Sequence, residues 1–73
     1  MNNYKYYKIN DGYYFRCNQN NTNFQVLKNN LWEDNNYMYS IFIDPYHDYC
    51  EVIDENIIKI LSSYPNKENS LRK

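Results

Sequence analysis

Glycine is almost absent from this sequence, since Gly12 is the only one in 73 residues. Phosphate-binding loops need several glycines so that the backbone can wrap around the phosphate oxygens, and the sequence therefore excludes a site of that kind. Alanine is missing altogether, and the aliphatic residues lie mostly in the second half of the chain. Because small domains bury only about 60% of the surface of the unfolded chain, we expect one domain with a small core.

Cysteine and long apolar runs are also scarce. Cys17 and Cys50 are too few for a disulfide framework, so we expect reduced thiols in the cytoplasm, with a single bridge between them as the alternative. The longest run of aliphatic residues and phenylalanine, 41–43, is far too short to cross a membrane. The first residues also lack the apolar segment of a secretion signal. The sequence thus predicts an intracellular protein without a membrane span.

Histidine occurs once, so any mechanism that needs an imidazole must use the segment around His47. A metal site at His47 and Cys50 is one interpretation. Cys17 and Asp48 would be its further ligands, but structural zinc sites use four ligands in closely spaced pairs. A Cys–His nucleophilic pair is another, and it needs a group that orients the histidine. The sequence supplies neither arrangement, and it predicts no catalytic residue, no metal site and no cofactor.

Asp11-Gly12 is the strongest structural signal, because it stands between two tyrosine-rich segments. A two-residue type I′ turn needs positive φ at both central residues, and Asp-Gly adopts this at low cost. The sequence therefore predicts a β-hairpin over 4–18 in which Asn10 faces Tyr13. Alternation of side chains then separates two faces. One face holds Tyr4, Tyr6, Tyr13, Phe15 and Cys17, and the other holds Lys5, Tyr7, Ile9, Tyr14 and Arg16.

A second hairpin follows the polar loop of residues 18–23. Residues 24–28 have the composition of a strand, and Asn29-Asn30 predicts a two-residue turn because asparagine also accepts positive φ. This turn places Leu27 opposite Trp32, a cross-strand pair that fixes the register.

The second half of the chain is less regular. Residues 37–43 carry the β-branched and aromatic side chains of a strand, which we favour, although the preceding Asp and Asn residues leave a short helix open. A short strand over 49–53 precedes a helix with Asp54 as its N-cap. The helix carries an aliphatic stripe made of Ile57, Ile58, Ile60 and Leu61.

Together these elements predict an α+β fold, an antiparallel meander of four to five strands with one C-terminal helix packed on one face. We expect a single domain over residues 1–65 and a flexible polar tail over 66–73. The other face of the sheet is expected to stay in water, where its aromatic side chains would suit a partner.

Charge is divided unevenly along the chain. Residues 1–31 carry four basic residues and one acidic residue, whereas residues 32–58 carry seven acidic residues and no lysine or arginine. Carboxylates combined with aromatic anchors are typical of surfaces that bind a basic partner protein. The predicted partner-binding residues are Asp44, Tyr46, Asp48, Tyr49, Glu51, Tyr37 and Tyr39. The plainer interpretation is that the acidic residues only solvate turns and a helix start.

The abundance of asparagine and tyrosine, 14 and 10 residues in so short a chain, resembles the small anti-defence proteins of phages and mobile elements in low-G+C bacteria, of which anti-CRISPR proteins are the best known. The resemblance is one of size and composition and transfers no motif residue. It implies a non-enzymatic inhibitor in the cytoplasm of the bacterial host that binds a host defence protein with a basic surface. Because small domains often need support, a homodimer is as compatible with the sequence as a monomer.

Two alternatives belong to other functional classes. The first is an oligomeric protein that sequesters a nucleotide signal between Tyr7, Tyr14 and Arg16. The second is a weak single-stranded nucleic-acid module that uses the same residues with Lys5, because bases stack on aromatic rings beside basic side chains. Both alternatives require Tyr7 and Tyr14 on one face of the sheet. The net charge of −1 weakens the second, since neutralisation of phosphates dominates such binding.

Overall fold

The computed structural model describes residues 4–10 and 12–65 of the chain. The elements in chain order are β1 (Tyr4–Ile9), β2 (Tyr14–Asn18), β3 (Gln25–Lys28), β4 (Leu31–Asp34), α1 (Tyr37–Ile43), β5 (Tyr49–Glu51) and α2 (Glu55–Ser62). In this part of the chain the strands form one antiparallel sheet with the spatial order β4-β3-β2-β1-β5. The predicted α+β class is thereby confirmed. The predicted tail, 66–73, lies outside the described residues.

The first hairpin closes differently from the predicted turn. The Ile9 N–H donates to the Tyr13 carbonyl and the Gly12 N–H donates to the Ile9 carbonyl, each at 2.8 Å. These bonds leave a loop of three residues, 10–12, and Gly12 has a φ of +107°, which glycine adopts without steric strain. The predicted two-residue turn is wrong, because a three-residue hairpin loop that ends on glycine carries the same Asp-Gly signal.

Compared with the predicted turn, the longer loop shifts the pairing of β1 with β2 by one residue. The side chains of β1 therefore share a face with the other half of the β2 side chains. Tyr7 pairs with Phe15, and Lys8 pairs with Tyr14. Tyr7 therefore shares a face with Phe15, whereas Tyr14 shares the opposite face with Arg16. The prediction that Tyr7 and Tyr14 lie on one face is wrong.

The second hairpin forms as predicted. Asn29 and Asn30 have φ values of 54° and 64°, the pair of left-handed residues that a type I′ turn requires. Leu27 lies opposite Trp32 in the resulting register.

Residues 37–43 form a helix, so the strand that the sequence favoured is wrong. The Asn35 side-chain oxygen accepts a hydrogen bond from the Tyr37 N–H at 3.0 Å where the chain enters α1. Met38 and Ile41, which are three residues apart, are buried against the sheet. This spacing belongs to a helix, whereas Tyr37 and Tyr39, part of the aromatic content that suggested a strand, are exposed.

The two helices cover opposite faces of the sheet, so the face that was expected to stay in water is not open. The α1 face has an aromatic core whose buried members are Tyr7, Ile9, Phe15, Cys17, Phe24, Val26, Met38 and Ile41. The α2 face has Tyr6, Trp32 and Leu61 as the buried members of its core. Any surface for a partner must therefore lie on the loops, the helices or the edges of the sheet.

The C-terminal helix begins as predicted. The Asp54 side chain accepts a hydrogen bond from the Asn56 N–H at 2.9 Å and so caps α2. Leu61 packs in the core of the α2 face, but Ile60 is 56% exposed. The predicted aliphatic stripe is therefore narrower than the sequence suggested.

Candidate docking surface

The loop between α1 and β5 is held by one carboxylate. Asp44 accepts hydrogen bonds from the Tyr46 N–H and from Nδ1 of His47, both at 2.9 Å. The Tyr46 N–H is the main cause, and His47 the next, of a pKa for Asp44 below its ordinary value. At the far end of the loop, the Asn10 N–H donates to the Asp48 carbonyl at 3.2 Å. Asp44 is thus a turn-forming residue whose charge also faces the loop.

This turn places Tyr46 outside the core. Its side chain is 91% exposed, and neighbouring Ile43 at the end of α1 is 57% exposed. Asp48 and Glu51 are exposed as well. Four of the predicted partner-binding residues, Asp44, Tyr46, Asp48 and Glu51, therefore lie along one short segment of loop and strand.

Tyr49 has a different environment from the one the sequence suggested. Its hydroxyl donates to the Phe42 carbonyl at 2.6 Å, and its ring stacks on Phe42 with the centroids 5.8 Å apart. The ring also meets Tyr7 edge-on at 5.6 Å. Tyr49 therefore joins α1 to β5 and belongs to the core of the α1 face.

The two tyrosines predicted on α1 do not continue this segment. Tyr37 is 66% exposed but lies at the start of the helix, about 9 Å from its end at 1.5 Å per residue. It lines a groove of about 560 Å³ together with Tyr13, Met38 and Ile41. Tyr39 is 47% exposed and packs edge-on against Phe24.

Two exposed apolar residues, Ile43 and Ile53, were not among the predicted partner-binding residues. Ile53 was assigned to the last strand, but β5 ends at Glu51 and Ile53 is 78% exposed. Val52 is partly buried in the core of the α2 face, whereas Ile53 lines a surface groove together with Glu51 and Glu55. We use the name docking surface for Ile43, Asp44, Tyr46, Asp48, Glu51 and Ile53.

The residues of the two alternative ligand sites, Lys5, Tyr7, Tyr14 and Arg16, do not come together on one face. Tyr7 is 7% exposed and Arg16 is 2% exposed, and they lie on opposite faces of the sheet. Lys5, which was predicted on the same face as Tyr14, donates to the Asn21 side-chain oxygen. A nucleotide or a base could not reach Tyr7 and Arg16 together without unfolding the sheet.

Arg16 is instead buried, and a chain of polar contacts leads from it to the surface. The guanidinium carbon lies 3.8 Å from the centroid of the Tyr4 ring and 4.2 Å from that of Trp32. Nε donates to Gln25 at 2.7 Å, and Gln25 in turn donates to Asp34 at 2.9 Å. Burial lowers the pKa of Arg16, while charge and hydrogen bonding from Tyr4 and Tyr6 oppose this shift. The contacts hold a cation inside the fold.

The thiols and the histidine are separate from one another. Cys17 is buried on the α1 face and Cys50 is exposed, and both are free. Burial raises the pKa of the Cys17 thiol above its ordinary value. Among residues 4–10 and 12–65, no group of three or more His, Cys, Asp and Glu side chains is placed to hold a metal ion.

Comparisons of the chain with protein-family models, with curated proteins and with solved structures found no match. No helix in the described part of the chain is long and apolar enough to span a membrane.

Proposed function

We propose that the chain is a non-catalytic binding domain whose docking surface attaches to a basic surface of a partner protein. The observation that carries the proposal is the exposure of Tyr46, at 91%, and Ile53, at 78%, beside the carboxylates of an acidic stretch. Exposed aromatic and aliphatic side chains supply the apolar anchors of an interface. Carboxylates around them favour a basic partner and speed its association.

The resemblance in size and composition to anti-defence proteins supplies the biological setting of this proposal. In that setting the partner is a defence protein of the bacterial host, and the domain acts in the host cytoplasm. Proteins that act on nucleic acid carry basic surfaces. An acidic surface can therefore occupy such a protein without any catalysis.

The test compares two substitutions of the same kind on opposite edges of the sheet. Glu51 on β5 belongs to the docking surface, whereas Glu33 lies on β4, roughly 19 Å away across four strand spacings. The wild type, Glu51→Lys and Glu33→Lys are immobilised, and proteins captured from a host lysate are compared at low and high salt. We expect Glu51→Lys to lower capture by about tenfold and Glu33→Lys to leave it unchanged.

Asp44 is unsuitable for this test, because its substitution would also open the turn that places Tyr46 outside. Tyr46→Ala is a better second variant, since the side chain has almost no contact within the fold. Equal capture by the wild type, Glu51→Lys and Tyr46→Ala would contradict the proposal.

A further inference from the structure

The edge strand β5 lies next to the docking surface, and within residues 4–10 and 12–65 no further strand pairs with its outer side. On its inner side, the Val52 N–H donates to the Tyr6 carbonyl at 2.8 Å and the Asn10 N–H donates to the Asp48 carbonyl at 3.2 Å. Antiparallel strands bond at alternate residues, so the N–H and C=O groups of Tyr49 and Glu51 point away from β1. In the described part of the chain, no backbone group outside this pairing bonds to either residue.

The other edge strand, β4, has an outward backbone N–H that is bonded within the fold. The β3–β4 register makes the Trp32 N–H face outward, and this group donates to the Pro65 carbonyl at 3.2 Å. The chain that follows α2 therefore covers the β4 edge at Trp32. Free edges are sites where another strand can pair, and no backbone group of the described residues bonds to the outer side of β5.

The charges around this edge decide what kind of strand fits it. Between residues 44 and 55 the chain carries five carboxylates and no lysine or arginine, so acidic groups outnumber the two lysines of the neighbouring strand, Lys8 opposite Cys50 and Lys5 in a groove that Glu51 also lines. A second copy of the chain that paired through β5 would bring two such segments together, which like-charge repulsion disfavours. A strand with lysine or arginine side chains would instead meet Glu51 with the opposite charge and extend past Tyr46 or Ile53.

We infer that β5 accepts an extended basic segment of the partner protein as a sixth strand of the sheet. The inference rests on the proposed function and specifies its binding mode. Backbone hydrogen bonds to Tyr49 and Glu51 hold the segment, while its basic side chains lie among the carboxylates of the docking surface. Strand addition needs no pocket, and so it suits a domain whose two sheet faces are both covered.

The first experiment separates backbone pairing from charge attraction. The probes are three short capped peptides: one alternates lysine with valine, one is the same peptide N-methylated on every amide that would face β5, and one alternates glutamate with valine. Binding to the full chain is measured by titration calorimetry. We expect the lysine peptide to bind, the N-methylated peptide to bind at least about tenfold more weakly because its backbone donors are removed, and the glutamate peptide not to bind.

The second experiment places the interaction on β5. Glu51→Pro removes an outward N–H without touching the bonds to β1, whereas Glu51→Gln removes only the charge. We expect a loss of affinity for the lysine peptide of about threefold with Glu51→Gln and of about tenfold or more with Glu51→Pro. Amide exchange at Glu51 in the wild type should slow when the peptide binds. Thermal melting of both variants checks that they remain folded.

The outcomes distinguish this inference from the proposed function. Equal binding of the lysine peptide and its N-methylated form would overturn strand addition and leave docking by charge intact. Binding of the glutamate peptide as tight as that of the lysine peptide would contradict both. A lysine peptide that does not bind, or a dimer of the protein alone that Glu51→Pro dissociates, would overturn strand addition, and the capture experiment would still decide whether the docking surface binds a basic partner.

Discussion

The two faces of the sheet are stabilised by different chemistry. On the α1 face, aromatic rings pack against one another, as in the stacked pair of Tyr7 and Phe15 with centroids 5.0 Å apart. On the α2 face, the centre is the guanidinium of Arg16 between Tyr4 and Trp32. A chain with few aliphatic residues thus builds one core from rings packed with a few aliphatic side chains, and the other from rings around a cation.

This difference changes how each face responds to the loss of one group. Ring contacts on the α1 face are numerous and individually modest, at about 0.5–1.5 kcal/mol beyond the burial of area. The α2 face contains a desolvated charge, so removing any partner of Arg16 leaves that charge less well satisfied. We therefore expect the α2 face to be the more sensitive of the two to polar substitutions.

The largest expected effect comes from removing the cation itself. Arg16→Ala should lower the free energy of unfolding by about 4 kcal/mol, because it opens a cavity between Tyr4 and Trp32 and leaves Gln25 without its donor. Arg16→Met, which fills much of the same space, should lower it by only about 2 kcal/mol. Denaturant unfolding measures both values.

The control for this pair is Lys8→Ala on the neighbouring strand β1, which removes an exposed cation from the same face of the sheet as Arg16. Its effect should stay within about 0.5 kcal/mol. If Arg16→Met were as damaging as Arg16→Ala, the charge and not the filled volume would be what the α2 face requires.

The α1 face should respond to alkaline pH. Burial, followed by the charges of Cys17 and Glu51, raises the pKa of Tyr7 from 10.0 to about 12. The unfolded chain then loses the proton first, so the contribution of Tyr7 to stability is complete below pH 10 and is lost as the pH rises to 12. The loss should be roughly 2 kcal/mol, measured as the decrease in unfolding free energy of the wild type relative to Tyr7→Phe across this interval. Identical profiles for the two proteins would show that Tyr7 is not the group responsible.

The two hairpins show how much of the fold the sequence could predict. Asn29-Asn30 allows one turn with one register, and the Leu27–Trp32 pair agrees with it. Gly12 is compatible with a loop of two or three residues, and sequence alone could not choose between them. The predicted register was wrong by one residue. Arg16, which was predicted on an open face, is therefore buried, and the predicted site for a nucleotide or a base does not form.

The same limit applies to the docking surface. Turn-forming residues predicted an exposed loop, and Tyr46 and Asp48 are exposed. The burial of Tyr49 depends on Phe42, whose carbonyl accepts the Tyr49 hydroxyl only because residues 37–43 form a helix. The local pattern favoured a strand and left a helix open. The need to cover the α1 face decided between them, and that need appears only in the assembled sheet.

The smallest expected effect comes from single hydroxyl groups, one on each face. Tyr49→Phe removes a 2.6 Å bond to the neutral Phe42 carbonyl and should lower the free energy of unfolding by about 1 kcal/mol. Tyr6→Phe removes a hydroxyl that contacts Ser62 at 3.1 Å and also bonds to Arg16, so its cost should be nearer to about 2 kcal/mol, because bonds to charged groups contribute more. Tyr46→Phe on the exposed loop serves as the control and should change stability by less than about 0.5 kcal/mol. A larger loss for Tyr49→Phe than for Tyr6→Phe in denaturant unfolding would mean that the cation does not make the α2 face the more sensitive one.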